Sequence, residues 1–287
     1  RDTDRSRGLG DVYKRQQKDR PVLLNNWEAT HCDFDEERLK ELFNGARQVG
    51  AELFLLDDGW FGNGPYSRDD DKHGLGDWEP STKKLPRGLS YIAKEALKRK
   101  VDFGIWLEPE MVNPQSELYQ KHPDWIITQP KRTPILGRHQ EILDLTRPEV
   151  QAFEWQVIDK TLRPNPDISY VKWDCNRYIT QPGSGYLQPA EQSHLWIDYN
   201  WALYRLMERF SKEFPNVMAM LCAGGSGRVD YGALPYFHSF WPSDNTDPLG
   251  RIKIQWGFSH FFPASTISAH VTRMGKRHLK LAIDVAL

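Results

Sequence analysis

The chain has 287 residues, 27% charged and 39% hydrophobic, with a formal net charge of −1. That balance carries no electrostatic footprint for nucleic acid or an anionic membrane, and no apolar run approaches the roughly eighteen residues of a membrane span. Three cysteines (Cys32, Cys175 and Cys222) are odd in number and lack metal-type spacing, which argues against a disulfide framework and predicts a cytoplasmic setting.

Residues 1–18 are charged and without apolar period, so they are expected to be a disordered or foreign tail. From there the text alternates. Pro21–Leu24 reads as a first strand, and 35–49 follows as a helix with Leu39, Leu42, Phe43 and Ala46 at helical spacing. Leu53–Leu56 is the second strand. A Gly- and Asp-rich loop spans 62–88, 91–100 reads as helix, and 102–107 is the third strand. The run 141–145 is expected as the fourth strand, with Thr146 and Glu149 forming a capping box around Pro148 at the start of the next helix. Residues 170–173 form the expected fifth strand and 195–214 the clearest helix. Residues 217–221, 237–241 and 265–271 complete eight strands, and 277–287 is a helix cut short. Eight strand–helix alternations predict an α/β fold, a (β/α)8 TIM barrel over residues 19–287 truncated in its last helix. A doubly wound sheet would place a Gly-rich phosphate turn after the first strand, and none stands there.

Strand after strand finishes in a polar or aromatic residue: Trp27, Asp57 and Asp58, Trp106 and Glu108, Asp174, Cys222, Asp244. Any one acid serves as well to cap a helix or open a loop. Six strand ends converging on one barrel mouth indicate a site. Within the stretch 170–176, period-2 alternation sends Lys172, Asp174 and Asn176 to one face and Val171, Trp173 and Cys175 to the other. A buried Lys and Asp at a strand end need partners or a task.

Metal is not expected, because the nine histidines are scattered and none forms HExxH. Adjacent Asp57 and Asp58 would share a cation only across a bent turn. No Gly-x-Ser-x-Gly elbow follows a strand, and no cofactor motif is present. Two inward carboxylates, Asp174 and Asp244, in a mouth rich in tryptophan remain, which is the equipment of glycoside hydrolysis.

Four blocks carry a closer likeness: Asp57-Asp58-Gly59-Trp60, Trp106-Leu107-Glu108-Pro109-Glu110, Lys172-Trp173-Asp174-Cys175-Asn176 and Ser243-Asp244-Asn245-Thr246-Asp247. Together and in this order they resemble the microbial α-galactosidases of glycoside hydrolase family 36, over about residues 20–287. The resemblance implies a TIM-barrel hydrolase that releases terminal α-linked galactose from melibiose and raffinose by a retaining double displacement. It implies Asp174 as nucleophile and Asp244 as general acid/base, with carboxyls about 5–5.5 Å apart. Asp57 and Asp58 would hold the 4- and 6-hydroxyls and Lys172 a neighbouring one, while lowering the Asp174 pKa. Trp27 and Trp106 would line the pocket, Arg138 would approach from a loop, and Cys222 with Gly225 would meet the 2-hydroxyl. The family often has Cys-x-Ser-Gly-Gly-Gly-Arg where this chain reads Cys222-Ala223-Gly224-Gly225-Ser226-Gly227-Arg228. Flanking β-domains and a homo-oligomer, a tetramer in the full-length form, are further implications, as are an oligosaccharide substrate and no cofactor, metal, nucleic-acid or membrane partner. The alternatives are an α-N-acetylgalactosaminidase, a galactosyl transferase on the same site, and an inactive galactose-binding fragment.

Overall fold

The computed structural model describes residues 20–287. The expected tail of residues 1–18 lies outside them. The chain divides into two compact units, residues 20–217 and Met218–Leu287.

In the first unit, β1 (Leu23–Asn25), β2 (Leu53–Leu56) and β3 (Asp102–Leu107) run parallel in that order. The helix Glu36–Gln48 starts where Asp35 accepts the Arg38 N–H at 2.8 Å, satisfying one of the first-turn donors. Its apolar stripe, Leu39, Phe43 and Ala46, is fully buried on the sheet. Phe43 meets Phe54 edge to face at 4.8 Å and Phe103 at 6.2 Å. Burying each such ring contributes about 1.5–3 kcal/mol. The helix Gly88–Lys98 buries Leu89, Ile92, Ala93 and Ala96 in the same way.

After β3 the structure departs from the sequence reading. The two-residue strands β4 (Met111–Val112) and β5 (Glu141–Ile142) pair antiparallel with each other, outside the parallel sheet. The expected fourth barrel strand is therefore a side excursion. Periodicity finds an apolar run but not its partner, and this run pairs with Met111–Val112. The strand beside β3 is β6 (Ile168–Trp173), in register Trp106↔Lys172 and Leu107↔Trp173. Nor does the capping box form. The Thr146 hydroxyl goes to Asp144 at 2.6 Å, and the helix Pro148–Leu162 begins on Arg147 with Pro148 in its first turn. The helix Leu195–Glu213 covers the back of β6, with Trp173 against Phe210 at 6.1 Å.

In the second unit β7 (Met218–Leu221) pairs parallel with β8 (Ser239–Phe240). No helix separates these two strands. The expected eighth strand reduces to one parallel bridge, Phe240↔Ile267, and the flanking residues form a 3-10 turn at Ala264–Thr266 and loops. The helices Pro248–Ser259 and Leu279–Ala286 complete the unit.

Candidate active site

β2 ends at Leu56, and Asp57 and Asp58 enter the turn that follows. Gly59 makes that turn at φ +109, where a Cβ would lie 2.9 Å from the Cys32 Cα. The bend frees the two adjacent carboxylates from the opposite faces a straight strand would give them. Each acquires its own cation. Asp57 Oδ2 accepts from Lys172 Nζ at 2.9 Å and Asn25 Nδ2 at 2.5 Å. Asp58 is gripped bidentately by Arg68, Nε to Oδ1 at 2.9 Å and Nη2 to Oδ2 at 2.7 Å. Burial alone would depress the Arg68 pKa, but the Asp58 charge and hydrogen bonds outweigh it and hold it above its ordinary value. Trp27, half-buried, docks beside this cluster through its N–H to Asn25 Oδ1 at 2.6 Å.

Asp174 follows β6 at once and is 4% exposed. Its backbone N–H continues the sheet to Leu107 O at 2.7 Å. Its carboxylate accepts Trp106 Nε1 at 3.0 Å and the Cys175 N–H at 2.9 Å. Burial would raise its pKa, but the nearby Lys172 charge and the bonds from Trp106, Asn176 and Cys175 prevail, and it lies below the usual aspartate value. Lys172 thus ion-pairs with Asp57 while its field acts on Asp174. Trp106 is 2% exposed and is itself fixed: Trp60 Nε1 donates to its carbonyl at 2.9 Å, and Phe61 stacks parallel to it at 6.1 Å.

Glu108, at the end of β3, accepts the Asn176 N–H and is 1% exposed. Burial first, and then the Asp174 charge, push it up to about 8, with the Arg138 guanidinium pulling the other way. At neutral pH this corner therefore holds one ionised and one protonated carboxyl. Such a split is how paired acids acquire separate roles. Arg138 itself is exposed, on a turn between the bridged residues Gly137 and Gln140.

In the second unit the end of β7 presents Cys222, 2% exposed, and then the turn with Gly224 and Gly225 at φ +55 and +99. A Cβ on Gly225 would stand 3.0 Å from the Ser243 Cα, so the glycine admits the segment that carries Asp244. Asp244 is exposed and accepts Trp241 Nε1 at 2.9 Å, and that indole stacks on His270 at 3.6 Å. Arg251, buried behind the segment, holds Ser243 O at 3.3 Å and Ser268 O at 3.0 Å. Burial brings its pKa down to about 10, and the Asp244 charge opposes the change.

The first unit thus assembles Asp57, Asp58, Trp27, Trp106, Lys172 and Asp174 through shared hydrogen bonds, with Arg138 reaching Glu108 by its charge. The second places Cys222, Gly225 and Asp244 on neighbouring turns. Sequence reasoning missed Arg68 and Asn25, and also Asn113, whose Oδ1 accepts Arg68 Nη1 at 3.0 Å. Arg68 lies in the polar loop 62–88, where nothing in the composition marks one arginine as fully buried.

A family model described as Melibiase matches residues 7–286. The α-galactosidase AgaA of Geobacillus stearothermophilus is 45% identical over 257 residues, 90% of this chain and 35% of that protein. Crystal structures of AgaA variants superpose with TM-scores of 0.89 in complex with raffinose and 0.90 in complex with stachyose, at 43% and 42% identity. They cover 94% and 96% of this chain, against 38% and 39% of the AgaA chain. The chain therefore spans about a third of the length of the relatives it matches, and its parallel strands match the α-galactosidase catalytic domain as a partial TIM barrel. It belongs to the melibiase family, glycoside hydrolase family 36.

Proposed function

We propose that the protein is an α-galactosidase that releases terminal α-linked galactose from oligosaccharides of the melibiose and raffinose type. The observation that carries this reading is the ionised Asp174, bonded by Trp106 and held low by the charge of Lys172, which itself pairs with Asp57 beside Asp58. In the first step Asp174 attacks the anomeric carbon, the glycosidic C–O bond breaks, and Asp244 gives its proton to the leaving oxygen. In the second, Asp244 takes a proton from water, whose oxygen attacks the same carbon and frees Asp174. The product keeps the α configuration. Asp57 and Asp58, already fixed by Lys172 and Arg68, retain lone pairs for the 4- and 6-hydroxyls. Trp27 supplies an apolar face for the ring, and Cys222 with the Gly225 backbone meets the 2-hydroxyl. Three buried thiols among the described residues suit a reducing compartment, and we assign the protein to the cytoplasm.

A second assignment of the acid has one observation in its favour: Glu108 is the carboxyl kept protonated near Asp174. Against it, Glu108 is almost wholly enclosed and already accepts a backbone N–H. It is better placed to brace Asn176 than to meet a leaving group. Hydrolysis of nitrophenyl α-galactoside, with no turnover of the β-galactoside or the α-glucoside, is the expected result. Turnover of α-N-acetylgalactosaminide at a comparable rate would overturn the choice of sugar.

A further inference from the structure

Asn113 follows β4, is fully buried, and is bonded at both ends of its amide. Its Oδ1 accepts Arg68 Nη1 at 3.0 Å and the Leu75 N–H at 2.9 Å. Its Nδ2 donates to Asp71 O at 3.1 Å and to His139 O at 2.8 Å. One amide thus joins the guanidinium that clamps Asp58 to the turn that bears Arg138. That turn is a conformation its own residues do not favour. Arg138 and His139 are both left-handed, at φ 52 and 59, between the paired residues Gly137 and Gln140. Two-residue turns of this kind select Asn-Gly or Gly-Gly, because a side chain at positive φ is crowded. Strain at a non-glycine pair persists only where the surroundings over-determine it.

The far side of the segment is held separately, by Arg177 bonding Ile135 O and Glu141. Arg177 is tied to the chain just past Asp174, whereas Asn113 is tied to the Asp58 clamp. The hold on His139 is therefore the one that relates Arg138 to the hydroxyl-gripping carboxylates.

We propose that Asn113 is a positioning residue that fixes the strained Arg138–His139 turn relative to the Arg68–Asp58 clamp, and so sets how tightly the galactoside is bound. The inference rests on the α-galactosidase reading, since it gives Arg138 a substrate to meet. Asn113 touches no sugar. It acts through Arg138, and its loss falls on ground-state binding with little effect on the chemical step.

A double-mutant cycle tests this, read as KM and kcat on nitrophenyl α-galactoside and as galactose affinity by calorimetry. Asn113→Asp keeps an oxygen for Arg68 Nη1 and the Leu75 N–H and removes the amide that donates to Asp71 O and His139 O, so the clamp keeps its acceptor while the tie to the turn is lost. Asn113→Ala removes both and serves as the second variant. Each is expected to raise KM about 5–10-fold with kcat within about twofold, the range of a lost hydrogen bond. In an Arg138→Ala background the same changes are expected to add less than about twofold, because the residue they position is gone. Equal effects in both backgrounds would overturn the proposal. So would loss confined to kcat at unchanged KM and affinity, the mark of fewer folded molecules. Wild-type hydrolysis reads the parent assignment by itself, so the two failures are distinguishable.

Discussion

The segments around Asp174 and Asp244 both place an aspartate just past a short parallel strand, and both offer it an indole N–H: Trp106 at 3.0 Å for one, Trp241 at 2.9 Å for the other. There the likeness ends. Asp174 is enclosed, joined to the sheet by its own N–H, and flanked by Lys172 and Glu108, each buried. Asp244 is exposed on a loop that a glycine contact and one buried arginine hold from behind. A carboxylate that must stay ionised and stationary profits from donors fixed in a low-dielectric corner. A group that must take up and release a proton profits from access to water. The contrast fits the roles of nucleophile and acid/base, and each prediction below tests one side against the other.

The largest effect is expected from removing the two carboxylates. Asp174→Gly cannot form a glycosyl-enzyme, so it should be inactive on every substrate, whatever the leaving group. Asp244→Gly loses only proton transfer, about 10²–10⁴-fold on natural oligosaccharides, and much less in the first step on aryl glycosides. Azide should revive Asp244→Gly as α-galactosyl azide, and Asp174→Gly, if it responds, as the β anomer. Swapped anomers would reverse the roles, and an α-azide from Glu108→Gly would make Glu108 the acid.

Next comes the buried clamp. Arg68→Met removes one partner of a buried pair and leaves Asp58 without its cation in an enclosed site, a situation that destabilises by about 3–5 kcal/mol. Chemical denaturation of Arg68→Met, and of Arg68→Met combined with Asp58→Leu, measures it. The double variant should regain much of the stability while staying inactive. A single variant within about 1 kcal/mol of wild type would mean that the pair is open to water. No ion pair around Asp244 should show a penalty of that size.

How much of this was legible beforehand depends on the kind of signal. Alternation in 170–176 placed Lys172 and Asp174 on the inner face, and the structure agrees. The same logic failed at 141–145, because a run of apolar residues does not say which strand it will pair with. That error counted β6 as the fifth strand and hid the adjacency of β3 and β6 that brings Glu108 close to Asp174. Arg68 and Asn113 were invisible for another reason. Each is a polar residue made buried by distant parts of the chain, and no local pattern records that.

A smaller effect, in pH, separates the two buried carboxyls on the Asp174 side. Glu108 carries a folded pKa raised from 4.5 to about 8. Below pH 4.5 it is protonated whether or not the chain is folded, and its contribution to stability is complete. As pH rises from 4.5 to about 8 the unfolded chain gives up the proton while the folded chain keeps it, so that contribution is lost. Asp174 has the opposite sign: its depressed pKa stabilises above the ordinary value of 3.8 and ceases to do so as pH falls through its folded value. Glu108→Gln should therefore flatten the decline in Tm between pH 5 and pH 8.5, leaving the variant a few degrees above wild type at the alkaline end. An unchanged slope would show Glu108 ionised in the folded protein.

The smallest effect is the most direct comparison, since it makes the same chemical change on both sides. Trp106→Phe and Trp241→Phe each delete one indole N–H from an aspartate and keep an aromatic ring. At Asp174 the donor bonds a buried charge, and water has little access to replace it. Hydrogen bonds to charged groups contribute about 1.5–3 kcal/mol in such settings, and the Trp106 ring also meets Phe61 and Trp78. Its loss should lower stability by that order and raise the pKa of Asp174, moving the acid limb of kcat/KM to higher pH. At Asp244 the carboxylate is exposed, so water takes the place of the lost donor. The remaining cost of Trp241→Phe is the weaker stacking on His270, and a stability change below about 1 kcal/mol is expected, with the acid limb unmoved. Equal losses in the two variants would mean that Asp244 is as enclosed as Asp174 when the protein works. The contrast between a fixed carboxylate and an accessible one would then fail, and with it the physical argument for dividing the chemistry between them.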